Sequence, residues 1–286
     1  MTAGAVTDLD VSVVVLTWED FERTTACVKS LPAGAEVVVV DNGSGPAVGD
    51  ALRDLCDVTG AQYVPSDATV SYAKGMNLGA RYCTRSTVVL SNNDVVADPD
   101  AVELLAGVLA DPEVGAAFPG VRGPDGAPGT DAGRFLTLPV GLGHLTGLGR
   151  LFPALRIPAA PECADWLSGP LLAVRRSTLA EIGGVDENGA DLRLCWAVRR
   201  LGLRVAYVPD AVVVHEDFAA AQHQWSREEV TRRRAREFVR ASRDQGGLGR
   251  RIACNAYAYG AALRAVAGRS TVRRAVAEGA LEGLRR

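Results

Sequence analysis

Four short apolar runs rich in β-branched residues, Val11–Leu16, Glu36–Val40, Gln62–Val64 and Thr87–Leu90, recur within the first ninety residues, and each of the first three is followed by a helix-forming stretch. Runs that are apolar throughout, rather than alternating, read as strands covered on both faces. Strands of that kind alternating with helices predict a parallel α/β sheet. The intervening helices are expected from Asp20, as N-cap, toward Leu31, from Ala47 to Cys56 and from Ser71 to Cys83. After the fourth strand, Asp98-Pro99 reads as an N-cap followed by proline at the first helical position. In such a sheet, ligands bind outside the carboxyl ends of the strands. Asp41-Asn42 closes the second strand and Asn92-Asn93-Asp94 the fourth, so acidic and amide side chains collect at that rim.

The rhythm breaks near residue 119. Residues 120–162 are rich in Gly, Pro and Leu without a period, which predicts a long, partly mobile loop, of the kind that is usually functional or disordered. Regularity returns with strands at Ala164–Leu167 and Leu171–Val174. A helix follows from Ser177 toward Ile182, stopped by Gly183-Gly184, then one from about Asp191 to Leu201 and a strand at Val205–Val208. From Ser226 three helices are expected, the first opened by a Ser226/Glu229 capping box. The division expected is 1–225 for the α/β domain and 226–286 for a helical appendage.

Charge is divided in the same way. Residues 226–286 hold 15 Arg against 6 acids, while residues 1–225 hold 16 basic against 28 acidic side chains. An acidic body with a basic tail points to an anionic partner for the tail. Arg232-Arg233-Arg234, Arg236 and Arg240 crowd one helix, and Leu248, Ile252, Tyr259, Leu263 and Val266 recur at helical spacing in the next. Such a surface could rest peripherally on anionic lipid, or simply cover the body and expose Arg to solvent. No recognised nucleic-acid module or aromatic interleaving accompanies the charge, so nucleic acid is not an expected partner. The chain lacks a membrane-spanning run and a signal-peptide pattern, which predicts a cytoplasmic protein. The six cysteines have no C-x-x-C spacing and read as reduced core thiols.

The loop after the first strand reads Thr17-Trp18-Glu19-Asp20, with no G-x-G-x-x-G, and no P-loop lysine motif follows any strand. Hydride transfer and ATP hydrolysis of the common kinds are thereby disfavoured. Taken in order, the segments VSVVVLTW (11–18), VVVVDNGSG (37–45), GMNLGA (75–80), VVLSNNDVV (88–96), DWLSGPLLAVRR (165–176), GGVDENGADLRLCWAVRRLG (183–202) and YVPDAVVVHE (207–216) resemble the family 2 glycosyltransferases of GT-A fold. The nearest branch is the rhamnosyltransferase-like one.

The resemblance implies a mostly parallel central sheet flanked by helices. It implies transfer of a sugar from a UDP- or dTDP-linked donor to an acceptor hydroxyl, with inversion and with Mg²⁺ or Mn²⁺ on the diphosphate. The acceptor would be a small molecule or a lipid-linked glycan in cell-surface or natural-product biosynthesis. Asp94 takes the last position of the DXD-like motif as metal ligand, with Asn93 beside it at the donor, although a turn would use the same carboxylate. His215 matches the late histidine that supplies a second ligand, with Glu216 and Asp217 as substitutes. Thr17 and Asp41 would hold the nucleoside, although the residue types of Asp41–Ser44 also suit a turn. Asn77 would touch the donor or lie on a helix surface.

Asp191 occupies the base position, where an N-cap would also be Asp. Around it Ala190 and Arg193 replace the family's flanking acids, and the 184–189 linker is short. Asp165 would orient the acceptor and Trp166 stack on a sugar face, or be an ordinary buried aromatic. The two substitutions also leave room for a degenerate nucleotide-sugar-binding protein without turnover.

Overall fold

The computed structural model describes residues 9–148, 151–152, 154, 160–187, 190–215, 226–266 and 270–285. Its elements run β1 (Val11–Thr17), α1 (Phe21–Ser30), β2 (Glu36–Asp41), α2 (Pro46–Thr59), β3 (Gln62–Pro65), α3 (Tyr72–Ala80), β4 (Thr87–Asn92), β5 (Val95–Ala97), α4 (Ala101–Val108) and β6 (Val114–Arg122). They continue as β7 (Asp131–Gly133), α5 (Leu138–Thr146), β8 (Trp166–Ser168), β9 (Leu171–Arg175), α6 (Arg176–Glu181), α7 (Ala190–Arg200), β10 (Arg204–His215), α8 (Arg227–Asp244), α9 (Leu248–Val266) and α10 (Thr271–Gly283). The chain divides into two compact units. Met1–Thr130, Ser168–Glu187 and Ala197–Asp217 form the first, and Asp131–Leu167, Asn188–Trp196 and Phe218–Arg286 the second.

The first unit holds an eight-stranded sheet in the order β3-β2-β1-β4-β9-β6-β10-β5. β3, β2, β1 and β4 are parallel, as are β6 and β10, whereas β9 runs antiparallel to β4 and β6, and β5 antiparallel to β10. Val13, Val14, Val15, Val38, Val39, Val40, Val88 and Val89 are fully buried. Each contributes about 1.5–3 kcal/mol by leaving water, which is why these runs lack alternation. The glycines of GMNLGA let α3 lie close on β1. A Cβ at Gly75 would stand 2.5 Å from Leu16 Cδ1, and one at Gly79 2.4 Å from Val14 Cγ1.

Four strand steps separate β4 from β5, about 19 Å in a flat sheet. Yet only Asn93 and Asp94 join them, a link reaching at most about 11 Å. The sheet therefore curls, bringing its far edge back toward the end of β4. β5 was not expected from sequence. The helix expected at Pro99 begins instead at Ala101, because Pro99 sits in a turn closed by the Ala101 N–H on the Asp98 carbonyl (3.0 Å).

In the second unit the stretch expected to be a loop carries β7, which pairs with β8, and α5. Its core joins Leu136 and Val140 to Val239, Ala253, Cys254, Tyr257, Ala258 and Ala280. Small residues set the spacing: a Cβ at Gly141 would fall 2.5 Å from the Ala253 carbonyl oxygen. Ser226 caps α8 by accepting from the Glu229 N–H at 3.2 Å. Cys27, Cys56, Cys83, Cys195 and Cys254 are buried and form no disulfide. No helix among the described residues is long and apolar enough to cross a membrane.

Candidate active site

Asp94 lies in the two-residue link between β4 and β5, and His215 ends β10. The antiparallel register puts His215 opposite Val95, the residue after Asp94. His215 Nε2 consequently stands 3.2 Å from Asp94 Oδ2, with both side chains largely buried. The other carboxylate oxygen, Asp94 Oδ1, is buried without a hydrogen-bond partner. A buried unpartnered carboxylate oxygen costs free energy and calls for a cation or donor. Carboxylate and imidazole together suit Mn²⁺ or Mg²⁺ once diphosphate oxygens and water complete the shell. Among the described residues no group of three or more His, Cys, Asp or Glu gathers to hold a metal. Glu216 and Asp217 lie outside the described residues.

The neighbouring amide is held from below. Asn93 Nδ2 donates to Thr24 Oγ1 at 3.2 Å and to Thr17 Oγ1 at 3.4 Å, and the two hydroxyl oxygens are 2.7 Å apart. Thr24 also hydrogen-bonds the Asp20 carbonyl, the N-cap of α1. Both threonines are almost fully buried, and the Thr17 carbonyl accepts from the Asn42 N–H at 2.8 Å. Thr24 was not singled out from sequence. Its signal was its place on the inward face of α1, four residues after the N-cap and three before Cys27. Burial pushes the Cys27 thiol up to about 12, so it is no nucleophile at neutral pH.

At the end of β2, Asp41 is 3% exposed and both its oxygens are engaged. Oδ1 accepts from the Ser44 N–H at 2.9 Å and Oδ2 from the Tyr63 hydroxyl at 2.7 Å. Desolvation, reinforced by that bond, raises the phenol to about 12, so Tyr63 donates. Asn42 clamps the next loop through both amide atoms, bonding the Val70 N–H and carbonyl. Glu19 adopts φ 53°, and its carboxylate accepts from the Gly45 N–H while its own N–H donates to Ser44 Oγ at 2.9 Å. The loops after β1 and β2 are thereby stitched together. A non-glycine residue in the left-handed region stores about 1–3 kcal/mol, and such residues gather at functional sites.

Asn77 makes the same kind of clamp as Asn42. Its Oδ1 accepts from the Val185 N–H and its Nδ2 donates to the Val185 carbonyl, both at 2.8 Å. Gly184, at φ +86°, has room for no Cβ there, since one would lie 2.5 Å from Asn77 Oδ1. α3 thus carries the segment that leads toward residue 187, assisted by Lys74 pairing with Glu187 at 3.2 Å.

The remaining candidates belong to the second unit. Asp165 Oδ2 accepts from the Phe135 N–H at 2.9 Å, and Trp166 Nε1 donates to the Arg134 carbonyl at 3.1 Å. Asp191 stands in the first turn of α7, where the helix dipole favours a carboxylate. Arg193 is turned to Asp244 of α8, 3.2 Å away. Gly189, in the linker before Asp191, lies outside the described residues.

The family model described as glycosyl transferase family 2 matches residues 12–147, from β1 through α5. The pre-mycofactocin glycosyltransferase of Mycobacterium tuberculosis is 27% identical over 218 residues, 72% of this chain and 43% of that protein. The N-acetylglucosaminyl-diphospho-decaprenol L-rhamnosyltransferase of the same organism is 28% identical over 202 residues, 66% of this chain and 58% of that protein. The aligned part of the chain thus spans about half the length of these curated relatives. Among solved structures, the mannosyltransferase PcManGT of Pyrobaculum calidifontis, in complex with GDP-Man and Mn²⁺, superposes with a TM-score of 0.61 at 21% identity. That match covers 96% of this chain and 81% of the other. Residues 12–147 of this chain are thus similar to the family 2 glycosyl transferases, and the curled sheet has the GT-A fold.

Proposed function

We propose that the chain is an inverting glycosyltransferase that passes the sugar of a UDP- or dTDP-linked donor to an acceptor hydroxyl. The observation that carries this reading is the Asp94–His215 pair, with its unpartnered carboxylate oxygen, at the carboxyl ends of the strands. Mg²⁺ or Mn²⁺ bound there would neutralise the charge that develops on the departing diphosphate. Asp94 and His215 supply its protein ligands, and Asn93, fixed by Thr24 and Thr17, keeps the β4–β5 link in shape. Asp41, oriented by Tyr63 and Ser44, accepts from the nucleobase imide, with Thr17 beside it. Asn77 serves the donor indirectly, through the segment it clamps.

The acceptor oxygen attacks the anomeric carbon as the carbon–oxygen bond to the diphosphate breaks. The bonding pair leaves with the nucleoside diphosphate, and the acceptor proton passes to Asp191. A single displacement inverts the anomeric centre. Asp165 and Trp166 orient the acceptor, a small molecule or a lipid-linked glycan; the rhamnosyltransferase relative is itself named for a decaprenol-diphosphate substrate. Arg193, paired with Asp244 where the family has an acid, favours a second reading in which the fold binds nucleotide sugar without turnover.

The test is a thermal-shift panel of UDP, dTDP and GDP with and without Mn²⁺, followed by donor hydrolysis and transfer assays of Asp94→Ala and Asp191→Asn. Metal-dependent binding with turnover lost in both variants supports the enzyme. Unchanged turnover in both sinks these roles, and metal-dependent binding without any turnover in the wild type supports the second reading.

A further inference from the structure

We propose that the outer face of α9 is a docking surface for an anionic lipid bilayer. Leu248, Ile252, Tyr259, Leu263 and Val266 recur every three to seven positions along this helix, with Asn255 between them, so they share one face. These five apolar side chains expose between 43% and 89% of their surfaces. The opposite face is the packed one: Ala253, Cys254, Tyr257 and Ala258 enter the core of the second unit, and Gly260 lies against Leu145. Unlike an ordinary surface helix, α9 therefore carries large apolar groups outward, while its inward face, Tyr257 apart, is built of small ones. The stripe runs the length of the helix, about 27 Å. A continuous apolar strip of that size in water marks an interaction surface.

Charge selects the occupant. α9 contains no acid, and of its three arginines Arg251 lies exposed beside the stripe, while Arg250 stacks on Trp196 and Arg264 donates to the His144 carbonyl. It belongs to a segment, residues 226–286, with 15 Arg against 6 acids. A two-fold pairing of two copies through this face would set like charge against like charge. An anionic bilayer instead offers opposite charge to Arg251 and an apolar boundary to the stripe. Tyr259, with an apolar ring and a polar tip, suits the headgroup level. This inference is independent of the glycosyl-transfer reading.

The test is co-sedimentation of the intact chain with vesicles of phosphatidylcholine alone and of phosphatidylcholine mixed with phosphatidylglycerol, with light scattering of the chain alone. The wild-type chain is expected to pellet with the anionic vesicles and to be released as salt rises. Ile252→Glu combined with Leu263→Glu is expected to lower binding about tenfold or more, and Arg251→Glu several-fold. Val58→Glu, at an exposed position of α2, should leave binding unchanged. Arg251→Glu, a change between solvated side chains, carries the test if the double variant misfolds by circular dichroism. Equal binding of wild type and the stripe variants overturns the proposal. So does a wild-type chain that ignores both kinds of vesicle, and if that chain scatters as a dimer split by the double variant, the occupant is a second copy.

Discussion

His215 Nε2 lies 3.2 Å from Asp94 Oδ2, a contact made by the antiparallel pairing of β5 with the end of β10. If the pair holds the ion that anchors a diphosphate, nucleotide binding requires metal. A ligand at about 100 times its Kd adds about 2.7 kcal/mol to folding stability. That gain is expected for the wild-type chain with nucleoside diphosphate and Mn²⁺, and to vanish with EDTA, in Asp94→Ala and in His215→Ala. Thermal melts at matched nucleotide concentration check it.

Thr24 supports Asn93 without reaching the rim itself. Losing a group that orients a metal-binding segment typically costs about 10–100-fold in affinity. Thr24→Val is expected to weaken metal-dependent nucleotide binding by about tenfold, and Thr24→Ser to restore most of it. Calorimetric titration of both variants decides this, and equal loss in the two would remove the hydroxyl from the account.

Asn77 gives both amide atoms to Val185, a buried residue. Asn77→Ala is expected to cost about 2–3 kcal/mol, from two lost hydrogen bonds and the backbone groups left behind. Asn77→Asp keeps the acceptor and should cost less. Urea midpoints, at unchanged slope, measure both. A direct donor contact would instead lower nucleotide affinity at nearly constant stability.

His144, on α5, faces Tyr257 with ring centroids 4.5 Å apart. Burial, with a smaller contribution from Arg264, lowers its pKa from 6.5 to about 4. The unfolded chain therefore takes up a proton that the folded chain refuses. Stability is complete above about pH 6.5 and falls as pH drops toward about 4. Over that window the loss reaches about 3 kcal/mol, and His144→Phe should flatten it. Stability curves of the two proteins between neutral and acid pH supply the comparison.

What could be read from the residues follows the range of the forces involved. β1, β2, β3 and β4 are written in the chain because each buried run is local and apolar throughout. β5 has three residues and owes its existence to β10, far away in sequence. α5 escaped notice because Leu138–Thr146 has no charged face to set a period, and it is held through Gly141 and His144 by α9. The Asp98-Pro99 pattern is a genuine stop-and-start signal, but the turn it forms delays α4 by two residues. Asp94 and His215, which lie 3.2 Å apart, were singled out from family pattern rather than spacing. Thr24, Tyr63 and Glu19 were not, since their roles are side-chain contacts between separate loops and helices.

The curl of the sheet also imposes an order in time. A nascent chain that has left the ribosome through β9 already holds Asp94, yet the strand that carries the imidazole has still to emerge. If Asp94 and His215 share an ion, as proposed, its binding energy would be withheld until β10 has slotted between β6 and β5. Such an ion would also reward completion of the sheet, so a chain stalled or misthreaded before residue 215 would gain nothing from it.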